Sequence, residues 1–179
     1  MAVRKKSETI HLRVKPISKA LLEGLSNSTG KTSTQIIEDL ITEAAANFLI
    51  EDVEDIINDD ALKNGQLDLE TALVTAHCDD DPILTKLRTY YIAPNALSAK
   101  DKIIASAVTQ SNDTFFGKSE LFSIEDEIIK PDYISKTPQL DLHEVSRRMP
   151  SLEDFAAFRE KNQNFKSTYE AFLKMIGEE

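Results

Sequence analysis

"ETIHLRVKP" (residues 8–16) alternates along its length: Ile10, Leu12 and Val14 fall on one side of an extended chain, and Thr9, His11 and Arg13 on the other. That period of two is the mark of a half-buried strand. Pro16 closes the run, because proline has no N–H to add to a ladder. No hairpin turn follows, and the next hundred residues hold no second alternating run of similar quality. A lone strand leaves a row of unpaired backbone groups and is not stable by itself. The run therefore predicts a strand whose partner must be sought elsewhere.

The residues after Pro16 predict helices. Ile17, Leu21 and Leu25 recur at i, i+4 and i+8, with Leu22 widening the stripe and Gly30 placed to end it. "TSTQ" then sets Thr32 as N-cap and Gln35 three residues later, a capping box. Ile36, Ile37, Leu40, Ile41, Ala44, Ala45, Phe48 and Leu49 trace a broad stripe over 33–49, with Val53 and Ile57 placed to extend it. One short strand and two helices cannot bury this many aliphatics in one copy. Both deficits disappear if two copies pair. Their strands then form an antiparallel ribbon, and Ile10, Leu12 and Val14 join Leu21, Ile37, Leu40 and Ile41 in a shared core. The missing partner is the same strand in a second molecule.

In this order and spacing, "TIHLRVKP", "ISKALLEGLSNSTG" and "KTSTQIIEDLITEAA" resemble the ribbon-helix-helix family of DNA-binding proteins, typified by the Arc and MetJ repressors. The resemblance covers about residues 7–49. It implies a homodimer whose ribbon lies in the major groove, with Thr9, His11 and Arg13 turned to base edges. Arginine can pair with guanine through two hydrogen bonds, and threonine can meet an acceptor or a thymine methyl. Histidine at the centre departs from the more usual amide or basic residue and leaves the target sequence open. The turn "GKTS" resembles the family's phosphate contact, with Lys31, Thr32 and Ser33 at a helix N-terminus. Arg4, Lys5 and Lys6 resemble an arm along the DNA backbone that adds affinity without sequence information. Thr32 and Gln35 cap their helix whether or not DNA is present.

Charge is distributed to match. Residues 1–49 carry seven bases against five acids, 50–83 eleven acids against Lys63 alone, and 84–179 thirteen bases against fifteen acids; the whole is -10. The reading is a mainly α protein in three parts. Residues 1–49 form a ribbon-helix-helix domain, 50–83 a partly helical acidic segment, and 84–179 a mostly helical region, irregular over 121–150. "LSAKDKIIASAVTQ" (97–110) predicts a helix capped by Ser98 with Asp101. Ser151 is placed as the cap of a final amphipathic stretch, one helix or two, bearing Leu152, Phe155, Phe158, Phe165, Tyr169, Phe172 and Leu173.

No catalytic constellation is present. His11, His77 and His143 are far apart, and Gly30-Lys31-Thr32 follows a glycine, Gly24, that sits inside a helix rather than a phosphate loop. A calcium loop around Gly65 fails at Leu62 and Thr71. His77, Cys78 and Asp79 to Asp81 lack the second pair that zinc needs. The expectation is a protein without enzymatic activity, metal or cofactor. One cysteine and no apolar run long enough for a membrane span suit the cytoplasm. The expected partners are double-stranded DNA and a second copy, with a higher oligomer on DNA also open. Three roles fit such a head. The first is a transcriptional repressor. The second is the antitoxin of a type II toxin–antitoxin pair, its acidic C-terminal region covering a basic toxin. The third is a plasmid partition or DNA-transfer accessory protein.

Overall fold

The computed structural model describes residues 9–123, 125–164 and 167–177. The chain divides into two compact units that meet in sequence between Ala44 and Ala45.

In the first unit, residues 9–15 form no strand and are exposed throughout. Ile10, Leu12 and Val14 keep 72, 63 and 57% of their surface in solvent. The physical reason is the one the alternation raises: a strand exists only as half of a ladder, and one chain supplies no other half. Helix α1 (Pro16–Thr29) begins on an extended Lys15 with proline in its first turn. It ends at Gly30, which takes φ 71° and donates its N–H to the Ser26 carbonyl at 3.0 Å.

Helix α2 (Ser33–Asn47) opens on the predicted capping box. The Thr32 N–H donates to Gln35 Oε1 at 2.9 Å, and the Gln35 N–H donates to Thr32 Oγ1 at 3.2 Å. It stops at Asn47 and does not continue towards Val53 and Ile57. The Phe48 N–H closes a last turn on the Ala45 carbonyl, and the Phe48 carbonyl accepts from Leu69 instead.

The second unit starts with a minimal sheet. Strand β1 (Leu49–Ile50) pairs antiparallel with β2 (Leu67–Asp68), Leu49 opposite Asp68 and Ile50 opposite Leu67. Asp68 then caps α3 (Leu69–Ala76) by accepting from the Thr71 N–H at 2.8 Å. Asp81, not foreseen as a cap in the sequence, caps α4 (Pro82–Ile92). Ser98 caps α5 (Ala99–Gln110) through the Asp101 N–H, as the sequence predicts. The short α6 (Asn112–Phe115) runs into strand β3 (Phe116–Ser119). There Gly117 lies so close to the Leu140–Asp141 backbone that any Cβ would collide with it. Helices α7 (Pro131–Ile134), α8 (Leu142–Arg147), α9 (Met149–Lys161) and α10 (Tyr169–Ile176) complete the unit.

One contiguous core joins these elements, and it changes the expected partition. Val53, Ile57 and Leu67 of the acidic segment are 2, 0 and 0% exposed and pack in the same cluster as Phe115, Phe122, Leu140 and Tyr169. Ile57 bridges to Ile129, the Asn58 N–H donates to the Ile128 carbonyl, and the Lys130 N–H donates to the Ile56 carbonyl, both at 2.8 Å. Residues 50–83 are therefore an integral part of the second unit: most of their acids face water, Asp68 excepted, while Val53, Ile57, Leu67, Ala72 and Ala76 turn inward.

The stretch 121–150 is largely irregular apart from α7 and α8, yet it feeds the core through Leu121, Phe122, Leu140 and Val145, each no more than 1% exposed. The C-terminal stretch is two helices. Ser151 lies inside α9, whose N-cap is Arg148, and Thr168 caps α10. Phe165 lies outside the described residues. Among the described residues, no helix is long and apolar enough to cross a membrane.

Candidate nucleic-acid interface

Thr9, His11 and Arg13 are exposed, but so are Ile10, Leu12 and Val14 beside them. Without a ladder the segment has no inner and outer face, so the single chain does not sort base-reading from core side chains. Arg4, Lys5 and Lys6 lie outside the described residues.

The turn between α1 and α2 is tightly made. Ser26 Oγ donates to the Lys31 carbonyl at 2.7 Å, Thr29 Oγ1 donates to the Leu25 carbonyl at 2.7 Å, and the Lys31 N–H donates to Thr29 Oγ1 at 3.3 Å. These hydroxyls were not singled out in the sequence, although Ser and Thr next to a helix-ending glycine are the residue types that make such bonds. The effect is to fix how Lys31, Thr32 and Ser33 leave the helix.

Of those three expected phosphate contacts, Thr32 is already committed. Its N–H donates to Gln35 and its hydroxyl accepts from Gln35 within the cap. Ser33 is exposed at the first position of a 15-residue helix, where the backbone dipole favours an anion. The Lys31 ammonium is ion-paired with Asp39 at 2.7 Å. Both side chains are more than half exposed, 54 and 57%, and such a pair is worth at most about 1 kcal/mol. An approaching phosphate can displace that carboxylate at little cost. Asp39 is a residue that sequence spacing missed, because it reaches Lys31 across the turn and not along one helix.

The expected dimer-core positions share one property: solvent still reaches them. Leu21, Leu40 and Ile41 are 61, 54 and 56% exposed. Ile17 and Leu25 on α1 are open too. Ile37 is half-buried, and Ile36, which the two-copy core did not include, is the buried hydrophobic of this unit among the described residues. These exposed aliphatics are concentrated on a short stretch of chain.

The other polar cluster of the sequence resolves into local structure. Asp81 accepts the N–H groups of Ile83 and Leu84, capping α4. The Cys78 N–H donates to Thr85 Oγ1 at 2.9 Å, and the His77 ring lies 3.1 Å from Asp79. Among the described residues, no group of three His, Cys, Asp or Glu side chains is arranged to hold a metal ion. Comparison of the chain with protein-family models, with curated proteins and with solved structures finds no match.

Proposed function

We propose that the chain is a homodimeric, sequence-specific DNA-binding protein that represses transcription. In this reading the 8–15 segments of two copies pair as an antiparallel ribbon placed in the major groove. The observation that carries it is the set of exposed aliphatic side chains of the first unit. Leu21, Leu40 and Ile41 stand in solvent, as do Ile10, Leu12 and Val14 of the alternating run that also bears Thr9, His11 and Arg13. Pairing two copies through that run buries the first set and turns the second outwards in one step. The fixed turn at Lys31 to Ser33 supports a backbone contact at each flank.

An antitoxin with the same head remains the alternative role, but its acidic wrapping tail draws less support. Val53 and Ile57 are core residues, and Asp59 and Asp68 pair with Lys130 and Lys63.

The test is selection of a binding site from random duplexes, followed by two substitutions. Arg13→Ala should cost about 1–3 kcal/mol on the selected site and relax the preference at one base pair. Lys5→Ala should weaken all sequences evenly and lower the salt slope. Failure to enrich any sequence, or equal sequence-blind losses for both variants, contradicts base reading by this segment.

A further inference from the structure

The second unit holds a groove that the DNA-binding reading leaves without a role. It lies between α4, α5 and the α8–α9 corner, with a volume of about 410 Å³. That is within the range of small-molecule sites, which are mostly apolar with a few placed polar groups. Its floor is aliphatic: Leu87, Val108 and Val145 are 2% exposed or less. Its rim is four charges in two pairs that cross between helices. Lys86 Nζ lies 2.7 Å from Asp101 Oδ1, and Lys100 Nζ lies 2.7 Å from Glu153 Oε1.

The two pairs differ in how readily they open. Asp101 is 22% exposed and also accepts from the Ser98 hydroxyl at 2.8 Å, so the first pair is anchored. Lys100 and Glu153 are 46 and 50% exposed, and an ion pair that open exchanges easily.

The charge balance of the rim selects the ligand. An apolar acid drawn to Lys100 would leave the Glu153 carboxylate without its partner, and an apolar amine drawn to Glu153 would leave Lys100 without its own. A zwitterion strands neither. Its carboxylate takes Lys100, its ammonium takes Glu153, and one ion pair becomes two while its side chain covers the floor. We propose that this groove binds a free apolar α-amino acid between Lys100 and Glu153. A peptide terminus is a poorer match, since it carries only one of the two charges.

The experiment is calorimetric titration of the full chain with L-leucine and L-phenylalanine, and with two truncated forms of the latter. These are 3-phenylpropionate, which lacks the ammonium, and 2-phenylethylamine, which lacks the carboxylate. At least one amino acid should bind with a Kd of ~1 mM or tighter. If that ligand is L-phenylalanine, both truncated forms should bind about ten-fold more weakly. If it is L-leucine, isocaproate and isopentylamine take their place, with the same expectation. Glu153→Gln, a surface change whose folding is checked by circular dichroism, should weaken the amino acid about ten-fold and leave the acid analogue unaffected. Absence of binding by both amino acids, equal affinity for a ligand and its truncated forms, or an unchanged affinity in Glu153→Gln overturns the proposal.

Discussion

The two units are built from similar material and finish differently. Up to Ala44 the chain has two well-formed helices with good stripes, and among the described residues only Ile36 of its large hydrophobics is buried. From Ala45 onward, elements no longer than 13 residues close a core around Ile57, Phe115, Phe122, Leu152 and Tyr169, each no more than 1% exposed. Helix quality therefore does not decide which unit has an interior. The second unit has strands, loops and helices that return to one place, whereas the first has two helices and an unpaired alternating run. In the proposed homodimer, the stripes that stay open in one copy close against a second.

That contrast makes core substitutions behave differently in the two units. The largest effect is expected from Phe122→Ala, which removes a fully buried ring packed edge-on to Tyr91 and lying 5.5 Å from the Arg88 guanidinium. It should cost about 3–5 kcal/mol, with a denaturation midpoint that does not depend on protein concentration. Leu40→Ala comes next. Judged from one copy, a side chain 54% exposed should hardly matter. Buried in a two-copy core it should cost about 2–3 kcal/mol, and the midpoint should move with concentration. A concentration-independent loss below about 0.5 kcal/mol for Leu40→Ala would remove the reason for treating the first unit as half of a core.

Capping should then affect the units equally, because it is local. Thr32→Ala in α2 and Ser98→Ala in α5 each remove an oxygen that accepts a first-turn N–H, and each should cost about 1 kcal/mol by denaturant titration. A much smaller loss for Thr32→Ala alone would mean that α2 is held by something other than its own start.

The smallest effect is a matter of pH and belongs to the second unit. Hydrogen bonds from Arg147 and Arg148 hold the Glu144 carboxyl down at about 2, against an ordinary 4.5. A carboxyl lowered by folding contributes stability that is present above pH 4.5 and lost as pH falls through 2. Glu144→Gln should therefore flatten the acid limb of thermal stability between those limits, lying below the unsubstituted protein above pH 4.5 and meeting it near pH 2. An acid limb identical to that of the unsubstituted protein would show that the arginines do not stabilise the folded carboxylate.

What the sequence discloses follows the range of the interactions involved. The capping box, the Gly30 stop and the Ser98 start are fixed by residues within four positions of one another, and all three are in the structure as read. The same locality explains the mistaken cap at Ser151: Arg148 ends α8 and begins α9 with no side-chain cap, so the polar signal downstream marked nothing. The acidic segment misled because its composition is a statement about its surface. Ile57 is buried through a bridge to Ile129 that no local pattern announces. The groove in the second unit was invisible for a related reason, since its rim joins Lys86 to Asp101 and Lys100 to Glu153 from three helices. In the first unit, the Thr9, His11 and Arg13 alternation is plain in the chain, yet its division into two faces needs a ladder that one copy does not make.

Sedimentation equilibrium of the intact protein tests that last point most directly. The account predicts a species of twice the 20.1 kDa chain mass, which a proline at Leu12 converts to the single-chain mass by removing a ribbon N–H and a core side chain together. A 20.1 kDa species in the unsubstituted protein, at micromolar concentration and with α1 and α2 still helical, would contradict it.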